Sequence, residues 1–144
     1  MKAPLGTISH GTLRTEDLIK AFTDTLESLN THDAALVATI AEARALDPDS
    51  EDASAMVNET LIDALQEYAP PYCYFGTLEG DGSDFGFWSD IDSLEEDARF
   101  GEVQKVNDTS AADGSTEFVM HVNDHGNVTL YRTKVELEEV WAVV

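Results

Sequence analysis

Between Arg44 and Arg99 the chain has no lysine or arginine. The same stretch holds Asp47, Asp49, Glu51, Asp52, Glu59, Asp63, Glu67, Glu79, Asp81, Asp84, Asp90, Asp92, Glu95, Glu96 and Asp97. Salt bridges within the segment are therefore impossible. Neutralisation must come from bases elsewhere, from cations or from a basic partner. The Debye length at physiological salt is about 8 Å, so carboxylates this dense feel one another. Their repulsion works against a folded state, and something must offset it.

The rest of the chain supplies little base. The 144 residues carry 29 Asp and Glu against 8 Lys and Arg, a formal net charge of −21. A hydrophobic share of 42% with two Trp, four Tyr and six Phe is enough for a core, which sets the chain apart from a disordered acidic tail. Its length suits a single domain. Cys73 stands alone, so no disulfide framework forms, in keeping with a reducing compartment. No run of about 18 apolar residues exists and residues 1–6 lack a signal-peptide core, so the expectation is no membrane association and a cytoplasmic location. Direct nucleic-acid binding needs a basic footprint, and the sign of the charge here is opposite.

The first half reads as helices. Thr15 followed by Glu16 and Asp17 is an N-terminal signal, and Leu18, Phe22, Leu26 and Leu29 recur at helical spacing. Asp33 can cap a second, alanine-rich helix that buries Leu36, Val37 and Ile40 and ends at Pro48. A third helix is predicted from Ala53 to Tyr68, with Met56, Val57, Leu61, Leu65 and Tyr68 inward. Its outer strip carries Glu59, Asp63 and Glu67. Pro70 and Pro71 then mark a change of layer. Residues 72–75 and 85–88 predict an aromatic hairpin around the Gly-rich turn 79–84, and Ile91 and Leu94 anchor a short helical turn in residues 90–99. Strands are predicted over 102–106, 116–122, 128–132 and 138–144. Helices followed by strands give an α+β class. The expectation is one domain over residues 1–144: two or three helices, about 15–68, packed on a curved antiparallel sheet of five or six strands, about 72–144.

Several residue groups invite a chemical reading. The turn Glu79 to Asp84 places acidic oxygens at alternate positions, as a Ca²⁺ loop would, but Gly and Asp are also what a hairpin turn demands. It lacks the lysine of a phosphate-binding loop. His121, Asp124 and His125 could serve zinc or acid–base chemistry. The string Asn123 to Asn127 is equally a natural turn. Cys73, flanked by Tyr72 and Tyr74, suits a buried, inert thiol. Ser9 and His10 lack a nucleophile elbow. No catalytic residue, metal site or cofactor is assigned, and the expectation is a non-enzymatic protein.

Three stretches are more specific than composition: Ala69 to Gly76 (APPYCYFG) continuing to Gly80–Trp88 (GDGSDFGFW), Val122 to Tyr131 (VNDHGNVTLY) and Gly6 to Leu18 (GTISHGTLRTEDL). They resemble segments of a family of small acidic phage- and plasmid-encoded proteins of no known activity. The resemblance implies a mobile-element origin and a bacterial intracellular setting. Small acidic phage proteins often inhibit host defence, anti-CRISPR and anti-restriction proteins among them.

The leading expectation is an acidic inhibitor that occupies the basic groove of a nucleic-acid-binding protein of the bacterial host, a CRISPR effector or a restriction enzyme, by DNA mimicry or occlusion. Its contact residues would be Glu59, Asp63, Glu67, Asp81, Asp84, Asp90, Asp92, Glu95, Glu96 and Asp97. The alternative is a protein-binding accessory module that uses the aromatic hairpin 72–88, with the charge serving solubility or salt adaptation. The apolar strand from Val140 to Val144 allows a homodimer as well as a monomer.

Overall fold

The computed structural model describes residues 2–29, 32–134, 139 and 141. The chain gathers into two units, Met1–Asp90 and Ile91–Val144. The Pro70–Pro71 junction is therefore not where the units divide. The aromatic hairpin stays with the helices that precede it.

The first unit opens with a short strand β1 (Gly6–Ser9), followed by helices α1 (Thr15–Leu29) and α2 (Ala34–Ala45). Thr15 is already helical. Thr12 works at the α1 start instead: its hydroxyl donates to Asp17 Oδ2 at 2.6 Å and accepts from the Arg14 N–H at 3.2 Å. Asp33 caps α2 as expected, its Oδ1 accepting from the Ala35 and Leu36 N–H groups at 2.9 and 3.2 Å.

Helix α3 runs continuously over 51–66, with α-helical ends Glu51–Ala55 and Ile62–Gln66 around a π-helical stretch Met56–Leu61. Ser50 caps it, accepting from the Ala53 N–H at 3.1 Å. The sequence accounts for the π-turn. Ala53, Val57, Leu61, Leu65 and Ala69 are all buried and recur every four residues. At 3.6 residues per turn a four-residue repeat drifts by about 40° each turn. Underwinding through a π-turn cancels that drift and keeps the stripe on the core.

The hairpin follows as β2 (Cys73–Leu78) and β3 (Asp81–Ser89). The first sheet is antiparallel in the order β1-β3-β2. Its inner face carries Phe75, Phe85 and Phe87, which meet Phe22 of α1: ring centroids lie 5.2 Å from Phe22 to Phe75 and 5.3 Å to Phe85, both edge-on. With Leu26, Leu61 and Leu65 fully buried, this is the core that offsets the charge.

The second unit holds α4 (Ile91–Arg99), β4 (Val103–Val106), a 3₁₀ turn (Thr109–Ala111), β5 (Phe118–Val122) and β6 (Val128–Arg132). Its sheet has the order β4-β5-β6. Val103, Val106, Val119 and Met120 are buried, and Leu94 anchors α4.

The α+β class holds, but the single curved antiparallel sheet does not. There are two three-stranded sheets, and β4 pairs with β5 in parallel. Residues 107–117 explain the parallel pair: they form a crossover of about a dozen residues, long enough to return the chain to the same end of the sheet, where a tight turn would give a hairpin. Strand β1 had no periodic signal, being four residues that begin with glycine. It lies so close to β3 that a Cβ on Gly86 would collide with the Gly6 carbonyl oxygen. The strand expected over 138–144 falls outside the described residues, apart from Glu139 and Trp141, which are exposed.

Candidate functional site

The ten acidic positions divide between the units: Glu59, Asp63, Glu67, Asp81, Asp84 and Asp90 in the first, Asp92, Glu95, Glu96 and Asp97 in the second.

Helix α3 carries the most coherent group. Glu59, Asp63 and Glu67 are all exposed. They repeat every four residues, the same repeat as the buried stripe, so the underwinding that holds the stripe on the core also holds this row on the outside. Glu51 and Asp52 add exposed charge at the helix start. Among the described residues none of these five carboxylates enters an ion pair. Lys2 reaches the end of the helix, but its ammonium donates to the Glu67 backbone carbonyl at 3.0 Å, not to the side chain.

The hairpin acids are engaged differently. Asp81 Oδ1 accepts from the Ser83 N–H at 3.1 Å and the Ser83 hydroxyl at 2.9 Å. Those bonds, helped by His10 at 3.9 Å, hold its carboxyl below the usual carboxylate range. Asp81 closes the turn rather than facing solvent freely. Asp84 is 8% exposed, and its Oδ1 has no partner among the described residues. It presents almost no charge outward. Asp90 is half-buried and hydrogen-bonds back to the hairpin, its N–H donating to the Tyr72 carbonyl at 2.7 Å.

In the second unit Asp92 and Glu96 are exposed on α4, while Glu95 pairs with Lys105 of β4 at 3.0 Å and Asp97 is half-buried. Phe100, directly after α4, is 75% exposed, and its N–H donates to the Glu96 carbonyl at 3.1 Å. Sequence reading passed over this aromatic. Its position one helical turn after Glu96 is the signal that could have found it.

The aromatic hairpin offers little free surface. Its three Phe side chains face the core. On the other face Tyr74 and Trp88 are cross-strand partners. Trp88 Nε1–H donates to the Gly76 carbonyl at 3.0 Å, and the Tyr74 hydroxyl donates to the Thr77 carbonyl at 3.2 Å. Both rings are half-buried and tied to their own strand pair.

The other candidate groups follow local chemistry. Asn123 builds the 123–127 turn: its Oδ1 accepts from the His125 and Asn127 N–H groups, both at 2.9 Å, and Gly126 takes φ +79°. His121 Nε2 lies 3.3 Å from the Asn107 carbonyl. Ser9 is buried while His10 is exposed beside Asp81. Cys73 is a free, half-buried thiol whose pKa is raised by burial, which suppresses thiolate reactivity. Among the described residues no group of three or more His, Cys, Asp or Glu side chains is placed to hold a metal ion. No described helix is long and apolar enough to cross a membrane. A cavity of about 260 Å³ between α1 and α2 is lined by Lys20, Thr23, Asp24 and Arg44, whose charges are satisfied by one another.

Comparison with models of protein families, with curated proteins and with solved structures finds no match. The functional reading therefore rests on the geometry.

Proposed function

We propose that this protein binds the basic groove of a nucleic-acid-binding protein, a CRISPR effector or restriction enzyme of a bacterial host, and keeps nucleic acid out of it. The observation that carries the reading is the row Glu59, Asp63 and Glu67: three exposed carboxylates on one helix, all without an ion-pair partner among the described residues. The acids of α1, by contrast, are drawn into ion pairs with Lys20 and Arg44.

Magnitudes limit the kind of mimicry. Four residues of helix span about 6 Å, whereas one DNA strand carries a phosphate about every 3.4 Å. The row is roughly half as dense as one strand. It cannot replace a duplex alone and draws on the excess of its unit, where residues 1–90 hold 17 acids against four bases. Occlusion of a groove, steered by charge, fits that density better than imitation of both strands. In the second unit, Asp92 and Glu96 precede the exposed Phe100 and give a smaller acidic patch beside an aromatic, the residue class enriched in interface cores.

The test is competition. Purified effectors and restriction nucleases are titrated with the intact protein in the presence of labelled duplex DNA. Displacement of DNA that weakens steeply as salt rises, and a loss of about tenfold or more in the Glu59→Gln, Asp63→Asn, Glu67→Gln triple variant, are expected. Binding indifferent to salt and to that variant, but lost in Tyr74→Ala or Trp88→Ala, would transfer the function to the aromatic hairpin.

A further inference from the structure

Of the six phenylalanines in the chain, Phe22, Phe75, Phe85 and Phe87 meet in the core of the first unit, and Phe118 lies under Arg132 in the second. Phe100 alone stands in solvent, 75% exposed. The end of α4 holds it there. Its N–H donates to the Glu96 carbonyl at 3.1 Å. Gly101 follows with φ +80°, its N–H donating to the Ala98 carbonyl at 3.3 Å, and the Glu102 N–H donates to the Asp97 carbonyl at 3.0 Å. That pair of bonds closes a helix around a left-handed glycine and fixes the residue before it. Phe100 is thus an exposed ring on an ordered backbone.

Its surroundings are negative from every side. Residues four apart on a helix share a face, with Cβ atoms about 5–6 Å apart. Asp92, Glu96 and Phe100 form such a row, all exposed and turned away from the buried Leu94. Among the described residues Asp92 and Glu96 enter no ion pair, and neither does Arg99. Residues 90–102 hold six acids and one base. The carboxyl end of a helix adds a partial negative charge of its own, and the face of an aromatic ring is the negative side of its quadrupole. Charge complementarity therefore selects a cation as the occupant of this face.

The second unit also shows which cation such a pair of groups holds. Arg132 sets its guanidinium carbon 5.1 Å from the Phe118 ring centroid, and its Nε lies 3.9 Å from Glu117 Oε1. A ring and a carboxylate share one arginine. Glu96 and Phe100 offer the same two groups, and among the described residues no cation lies over the Phe100 ring. Lysine suits such a place less well. Its ammonium is compact and strongly hydrated, whereas the guanidinium is planar, more weakly hydrated and stacks on aromatic faces.

We propose that Glu96 and Phe100 capture an arginine side chain of a basic partner protein, with the guanidinium over the Phe100 ring and its N–H groups donating to the Glu96 carboxylate. The inference deepens the groove-binding reading and rests on it for the kind of partner: it names arginine as the residue that the second unit meets. Carboxylates alone attract lysine and arginine alike. A ring beside them adds a short-range preference to the long-range attraction.

The test uses the isotope-labelled full chain and two peptides of equal length and charge, one with arginine and the other with lysine as its only bases, spaced by glycine and serine. Amide signals of residues 96–102 should shift, and the affinity read there should be about two- to fivefold higher for the arginine peptide, the worth of an exposed cation–π contact. Phe100→Leu keeps the apolar bulk and removes the ring. It should erase the preference and leave the lysine peptide's affinity little changed. Glu96→Gln should weaken both peptides about twofold and keep the preference. Both positions are exposed, so circular dichroism should match wild type; should a variant misfold, the comparison of peptides on the wild-type chain still decides. The Glu59→Gln, Asp63→Asn, Glu67→Gln variant should leave the preference at residues 96–102 intact, so the two ideas fail separately. DNA displacement that fails while the arginine preference holds counts against groove binding alone. Equal affinity for the two peptides, a preference that survives Phe100→Leu, or shifts that bypass residues 96–102 would overturn the capture site, whatever the displacement assay shows.

Discussion

Helices α1 and α3 lie in the same unit, carry acids at similar density and treat them in opposite ways. On α1, Asp24 meets Lys20 at 2.7 Å, and Arg44 of α2 reaches across to Asp24 at 2.9 Å, Glu27 at 2.5 Å and the Thr23 hydroxyl at 3.3 Å. One arginine serves three acceptors and binds α2 to α1. On α3, Glu59, Asp63 and Glu67 have no such partner among the described residues. The first arrangement uses charge to hold helices together. The second leaves charge available, and the helix is held by burial and its caps rather than by ion pairs. Two uses of the same residue types, separated by whether a base stands within reach, are what composition averages into a single net charge.

If α3 is held mainly by burial, its core contacts should be costly to remove. Leu61 is fully buried at the end of the π-helical stretch. Leu61→Ala should lower the unfolding free energy by about 2–5 kcal/mol, the range for a large-to-small change in a packed core. Denaturant unfolding followed by circular dichroism measures it. A loss well under 1 kcal/mol would mean that the stripe does not anchor the helix, and the account of the π-turn would fail with it.

Much of this division was legible before any coordinates. The base-free interval, the cap at Asp33, the buried positions of α3 and the outer strip Glu59, Asp63 and Glu67 all follow from spacing. The hairpin and the turn at 123–127 follow from glycine, asparagine and aspartate chemistry. What escaped depends on distant partners. Strand β1 exists because β3 offers it an edge. The parallel β4–β5 pair depends on the path of residues 107–117, and strand periodicity is the same in either direction. Asp84 looks like an exposed turn residue, and only the register jump between Thr77/Phe85 and Leu78/Asp81 turns it inward. The pairing of Arg44 with Asp24 and Glu27 joins two helices and leaves no local signature. The four-residue repeat of α3 was visible, but its consequence, an underwound helix, emerges only when the whole stripe must stay on one core.

The ion-paired side of the comparison is tested by removing its base. Arg44→Ala should cost about 1 kcal/mol in total, because exposed pairs contribute little each and the guanidinium is partly solvated. Added salt should shrink the difference from wild type. The pH dependence has a definite sign. The hydrogen bond from Lys20, with help from Arg44, holds the Asp24 carboxyl below its ordinary value. Its contribution is therefore present above the unfolded carboxylate pKa, about 3.9, and is lost as pH falls through the lower folded value. In Arg44→Ala part of that acid-side loss should vanish. An Arg44→Ala protein with unchanged stability and an unchanged acid limb would show that the bridge holds nothing.

The unpaired side yields the smallest change, and its sign is the informative part. Like charges four apart on a helix destabilise it by about 0.2–0.5 kcal/mol per pair. The Glu59→Gln, Asp63→Asn, Glu67→Gln variant removes two such pairs and should gain a few tenths of a kcal/mol of stability at low salt, with the gain fading as salt rises. The same variant is expected to lose groove binding. Stability and binding would then move in opposite directions under one substitution set, as they do when a surface is kept charged against the interest of its own fold. A triple variant that is less stable than wild type would instead place these carboxylates in a structural role like that of Asp24, and the contrast between the two helices would disappear.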